Sequence, residues 1–74
     1  MHWFNQLCQE WERNNPGNKM SIRRIAGRAE VDKGTVERFK KGLGINRENL
    51  EKLAHLFNMT PGELLDRQQQ GQAK

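Results

Sequence analysis

Large apolar residues fall in short clusters at three- and four-residue spacing. Phe4, Leu7, Cys8 and Trp11 recur at i, i+3, i+4 and i+7, the buried face of a helix over about 3–14. Asn14-Asn15-Pro16-Gly17-Asn18 reads as a loop. Ile22, Ile25, Ala26 and Ala29 give a second helix over about 22–29, and Val36 and Phe39 a third over about 33–41 that stops at Gly42. Leu50, Leu53, Ala54 and Phe57 give a fourth over about 47–57, after which Asn58 can take a left-handed turn. Leu64 and Leu65 mark a short fifth helix over about 61–66. Gln68 to Lys74 holds no apolar residue large enough to anchor it, so 67–74 is expected to be a disordered tail or linker. No run alternates as a strand does. The predicted fold is all-α, a compact five-helix bundle over 1–66.

Four of these helix starts share one device: a capping residue flanked by an apolar residue and by another five positions later. Ser21 stands between Met20 and Ile25, Asp32 between Val31 and Val36, and Asn46 between Ile45 and Leu50. Thr60 stands between Met59 and Leu64, with Pro61 at the first helical position and Glu63 placed to complete a capping box.

The connection between helices two and three changes the picture further. Only Glu30, Val31 and Asp32 remain for it, too few to reverse the chain, so the helices meet at a steep angle as a helix-turn-helix. Ala26 is small where they would cross, and Val31 fills the turn from inside. Opposite Val36 and Phe39, the third helix presents Gly34, Glu37, Arg38 and Lys41, with Lys33 beside them at its N-terminal end. The first part of such a helix contacts base edges in a major groove. Arg38 or Lys33 could donate to guanine O6 and N7, and Glu37 could accept from cytosine N4. Glu37 has an alternative as the i±4 ion-pair partner of Lys33 or Lys41. Gly34 either admits a close approach to bases or is simply tolerated in a first turn.

Charge is distributed to match. The chain carries +4, but nine basic residues and three acids lie between Lys19 and Arg47, against four basic residues and six acids elsewhere. Such asymmetry points to a polyanionic partner. Arg23 and Arg24 occupy the first turn of helix two, where the helix dipole favours acids, so an anion such as a backbone phosphate would relieve the conflict. Asn18, Lys19, Ser21, Arg28, Lys40, Lys41 and Arg47 are further candidates for backbone contact.

Other classes are disfavoured. At 74 residues the chain buries only about 60% of its unfolded surface and is one domain. No stretch approaches the roughly 20 apolar residues of a membrane span, and Met1-His2-Trp3-Phe4 lacks signal-peptide features. The lone Cys8 cannot form an internal disulfide, so a reducing cytoplasm is expected. Cys8 falls on a core face, His2 and His55 are far apart, and there is no phosphate loop, metal-ligand spacing or serine elbow. No enzyme, cofactor, metal or small-molecule substrate is expected. No aromatic residue interleaves the basic helices to stack RNA bases.

The run from Ser21 to Gly42, SIRRIAGRAEVDKGTVERFKKG, resembles the Cro/CI-type helix-turn-helix of lambda-repressor-like regulators, and Leu50 to Leu65 resembles that family's fourth and fifth helices. The resemblance covers roughly 7–65. It implies a five-helix repressor-type domain, usually dimeric, that binds operator DNA and regulates phage, plasmid or mobile-element genes, with Lys33, Gly34 and Arg38 at its base-reading positions. Ile22 stands where the family often has a phosphate-clamping glutamine, shifting that contact towards Arg23. Glu30 stands at the turn position where glycine is common because φ is often positive. Met59, Leu64 and Leu65 would form a two-fold interface holding two recognition helices about 34 Å apart. Trp3 and Phe4 are more aromatic surface than the bundle needs; they read as local packing, with a partner-binding patch as the alternative. Such a patch would suit a rival function, an antitoxin or adaptor of the same fold acting through protein contacts.

Overall fold

The computed structural model describes residues 2–72, the last of these by its backbone alone. Among the described residues the chain forms five helices and no strand: α1 Trp3–Asn14, α2 Ile22–Ala29, α3 Lys33–Lys40, α4 Arg47–Leu56 and α5 Pro61–Gln72. The first four lie within a residue of their expected limits. The fifth does not.

Side chains start most of these helices as expected. Ser21 Oγ accepts from the Arg24 N–H at 3.2 Å, and Asn46 Oδ1 from the Asn49 N–H at 2.8 Å. Thr60 and Glu63 make a reciprocal capping box, each side chain accepting from the other's backbone N–H at 3.1 Å. Asp32 takes the cap position without a side-chain bond; its carbonyl accepts from Thr35 and Val36 instead. His2 caps α1 through Nδ1, which accepts from the Phe4 N–H at 3.2 Å.

Three helices stop by the same backbone device. After α2, α3 and α4 a residue enters the left-handed region, and the next N–H folds back to a carbonyl five residues earlier: Val31 to Ala26, Leu43 to Arg38, and Met59 to Ala54. The left-handed residues are Glu30 (φ 59°), Gly42 (φ 88°) and Asn58 (φ 59°). Gly42 and Asn58 suit that conformation, whereas Glu30 costs about 1–2 kcal/mol there for want of a lighter side chain.

The core is continuous. Leu7, Ile25, Val36, Phe39, Leu53 and Leu64 are fully enclosed, with Trp3, Phe4, Cys8, Ala26, Ala29, Ala54 and Phe57 around them. Aromatic rings run through it edge to face: Phe57 to Phe4 at 6.4 Å, Phe4 to Trp3 at 5.5 Å, and Trp3 to Phe39 at 5.4 Å between centroids. Each such pair contributes about 0.5–1.5 kcal/mol beyond its burial. The chain of rings ties α1 to the end of α4 on one side and to α3 on the other.

Two expectations are corrected here. Residues 67–72, expected as disordered tail, continue α5 against the body, and 73–74 lie outside the described residues. The anchors are polar or small: Arg67 forms a two-pronged bond to Glu10 at 2.6 and 3.2 Å, Gln68 is buried, and Gly71 lies against Trp3. Arg67's hydrogen bonds hold the Glu10 carboxyl below its usual pKa, so this contact stabilises at neutral pH and fades as acid protonates Glu10. Secondly, Leu64 is wholly buried and cannot line a two-fold interface; Met59 is half-buried against the core, and Leu65 alone of the three stands exposed. Of the two readings of Trp3 and Phe4, local packing holds: they are 7% and 2% exposed, within the core.

A methyl group on Gly71 would overlap Trp3 Cβ, Cγ and Cδ1. Gly71→Ala ordinarily favours a helix, but here overpacking should dominate and cost about 1–3 kcal/mol. Urea denaturation of Gly71→Ala, followed by Trp3 fluorescence in a Trp11→Phe background, should show a lower midpoint and a red-shifted native spectrum. An unchanged or higher midpoint would mean that α5 does not press on Trp3.

Candidate nucleic-acid interface

The turn between α2 and α3 is fixed from both ends. Glu30 swings the chain round in its left-handed conformation, Val31 returns its N–H to Ala26 at 3.0 Å, and Lys52 Nζ on α4 donates to the Glu30 carbonyl at 3.4 Å. Glu12 Oε2 on α1 accepts from the Met20 N–H at 2.9 Å, which fixes the approach to α2. The two helices and their connection are thereby set before any partner arrives.

On α3, Val36 and Phe39 face inward, and Gly34, Arg38 and Lys41 beyond its last residue face solvent in one stripe. Open space surrounds Gly34 where a Cβ would be. Glu37, half-buried, lies 3.9 Å from Lys33 at i+4, the alternative reading of that residue. A pair this long and exposed contributes well under about 1 kcal/mol. Arg38 has no side-chain partner among the described residues.

Two clefts flank the stripe. On one side, Lys40 joins Lys19, Ser21 and Ile22 at the start of α2 in a groove floored by α1 residues including Cys8 and Glu12. On the other, Thr35 and Arg38 face Asn46 and Asn49 at the start of α4 across a small polar cleft. At 100° per residue, Lys40 and Thr35 diverge to opposite flanks of α3, so the clefts bracket Gly34 and Arg38. Thr35, Asn46 and Asn49 were not foreseen; Asn46 reads from sequence only as a cap, and nothing local brings it beside Arg38.

The remaining cations divide by their partners. Lys19, Arg23, Arg38, Lys40 and Lys41 make no ion pair among the described residues. Arg24 bends back to donate to the Lys19 carbonyl at 3.3 Å, which leaves Arg23 the freer of the two at the α2 N-terminus. Arg47 pairs with Glu51 at 3.2 Å on an exposed surface, a bond easily exchanged for another anion. Asn18 is exposed in the loop, its amide 3.5 Å from the Asn15 carbonyl. Arg28 lies with its guanidinium over the Trp11 ring, 5.3 Å from the centroid, at the opposite end of α2 from Arg23. Cation–π stacking engages it there, away from both clefts.

Cys8, in this groove, is poorly suited to act as a nucleophile. Burial, with Glu12 nearby, pushes the Cys8 thiol up to about 11 against a weaker opposing pull from Lys40, so at neutral pH it is a protonated core group. Among the described residues no group of three potential metal ligands gathers, and no helix is long and apolar enough to cross a membrane.

A family model for the Cro/C1-type HTH DNA-binding domain matches residues 17–70, which takes in α2 to α4 and most of α5. Comparison with curated proteins and with solved structures gives no match.

Proposed function

Because the chain belongs to the Cro/C1-type helix-turn-helix DNA-binding family, we propose that it reads a specific double-stranded sequence with α3 laid in the major groove. The observation that carries this reading is the stripe Gly34–Arg38–Lys41, exposed and bracketed by two polar clefts. Arg38 donates to a guanine edge, and Gly34 lets the backbone of α3 approach the bases. Lys33 swings from Glu37 to the DNA, since their exposed pair is weak, and Glu37 is left as the secondary base contact. Lys19, Ser21, Arg23 and Lys40 take phosphates on one flank, with the α2 amides. Asn46, Asn49 and Arg47 take them on the other. Lys41 and Asn18 extend the backbone contact, with Arg24 in support.

In this reading the domain is a transcriptional regulator, a repressor that blocks access to the duplex it occupies, of the phage, plasmid or mobile-element kind. It works in the cytoplasm, where Cys8 stays a thiol. The antitoxin or adaptor alternative loses its surface with the burial of Trp3 and Phe4.

Duplex selection followed by salt titration tests the reading. Arg38→Ala should cost about 1–3 kcal/mol at one base position while leaving the salt slope nearly unchanged, and Lys41→Ala should reduce the slope by about 1. Folding stability should move by less than about 0.5 kcal/mol in both, because neither side chain is buried. Equal losses on selected and scrambled duplexes would remove Arg38 from base reading. No binding at low salt would overturn the DNA reading itself.

The operator is proposed to be read by a homodimer joined along the outer face of α5, around Leu65 with Met59 at its rim. Leu65 is 37% exposed and, with Leu43, is one of two large apolar side chains left in solvent among the described residues. Two α3 helices would then address half-sites about 34 Å apart. Sedimentation on a palindromic duplex should give two chains per duplex for the wild type and one for Leu65→Asp. A single chain throughout, with DNA and without, would contradict the dimer.

A further inference from the structure

Gln68 is the buried polar residue of the core, 5% exposed, on the part of α5 that carries no apolar signal. Its Nε2 donates to the Phe39 carbonyl at 3.0 Å and to the Leu43 carbonyl at 3.1 Å. One amide nitrogen thus bonds both sides of the turn that ends α3, using both of its hydrogens. Phe39 lies in the last turn of α3, where its carbonyl also accepts from the Gly42 N–H at 3.0 Å, and Leu43 lies just beyond the turn, so a side chain 25 and 29 residues away bridges the end of the helix.

The bond constrains more than the helix end. Phe39 is held twice: by its ring, edge-on to Trp3 at 5.4 Å, and by its carbonyl on Gln68. Arg38, its neighbour, projects outward, and its own carbonyl accepts from the Leu43 N–H at 2.9 Å in the same turn. Apolar packing resists separation of α3 from α5 but tolerates small rotations of one against the other. Two directional hydrogen bonds from one nitrogen do not, because both lengthen or bend when either helix rolls.

We propose that Gln68 is a positioning residue for sequence discrimination: it sets the roll and axial position of α3, and so where Arg38 and Gly34 meet the base edges. This rests on the reading of α3 as the base-reading helix. Base contacts require placement within about 0.5 Å, whereas phosphate contacts by long flexible lysines do not. Loss of Gln68 therefore falls on specific binding and spares general attraction to DNA.

Gln68→Met removes both donors at nearly constant volume, and Gln68→Met and the wild type are titrated with the selected duplex and with a scrambled one. The expected result is a loss of about tenfold or more on the selected duplex, for one displaced bidentate contact, with scrambled-duplex affinity within about twofold and an unchanged salt slope. Faster amide exchange at Gly42 and Leu43 in the free variant should accompany it. A variant that keeps the full preference, or loses affinity equally for both duplexes, overturns the positioning role. A wild type with no preference at all overturns the base reading instead, which separates the two failures. Should Gln68→Met not fold, the wild-type side-chain amide resonances of Gln68 supply the test. They should shift on adding the selected duplex and not the scrambled one; the same response to both overturns the proposal.

Discussion

The indole of Trp3 sits where α1, α3 and α5 meet, with Phe4 and Phe39 edge-on to it and Gly71 leaving room for it from above. A domain of 74 residues has little apolar surface to spare, and this one places its largest side chain under the helix that faces outward. The indole N–H finds no acceptor among the described residues, a cost of about 1–3 kcal/mol accepted for the sake of its packing. Without the indole, Phe39 loses its ring partner and α5 loses the contact that holds its last turn down. Gln68 then has no fixed platform from which to reach the end of α3.

On that platform the charges take their places. Acids of α1 and α4 are engaged elsewhere: Glu10 takes Arg67, Glu48 takes Lys52 at 3.7 Å, and Glu12 is spent on the Met20 amide. On and around α2 and α3, Lys19, Arg23, Arg38, Lys40 and Lys41 are left to an outside partner, while Lys33 pairs weakly with Glu37, Arg24 bonds the Lys19 carbonyl and Arg28 stacks on Trp11. The surplus positive charge of the middle third is therefore spatial as well as sequential. It lies on two flanks of one short helix, where a polyanion with two strands can meet it.

Most of the fold was legible because its signals are local. Apolar spacing located five helices, capping residues located the starts of the last four, and Gly42 and Asn58 announced two stops. The shortness of Glu30-Val31-Asp32 gave the helix-turn-helix, and Glu30 does adopt the positive φ for which glycine is the usual choice. What escaped was the second half of α5. Leu64, Gln68 and Gly71 follow the i, i+4, i+7 spacing of a buried face, but two of the three are a polar residue and a glycine. A template that counts only apolar residues ends at Leu65. The same error left Trp3 looking like more aromatic surface than the bundle needs, since Gly71 of the segment taken for a tail lies against it. The site was legible as a stripe on α3, but not as two clefts. Arg28 meeting Trp11, and Asn46 sharing a cleft with Arg38, are tertiary events that no spacing along the chain reports.

Native-state hydrogen exchange on the free wild-type domain tests most directly whether α1, α3 and α5 act as one clamped unit. If Trp3, Gly71 and Gln68 bind them together, amides in the last turn of α3 and in α5 up to Gly71 should open with one common free energy, close to that of global unfolding. If α5 beyond Asp66 exchanges freely while α3 stays protected, α3 stands without its clamp, and the account is contradicted.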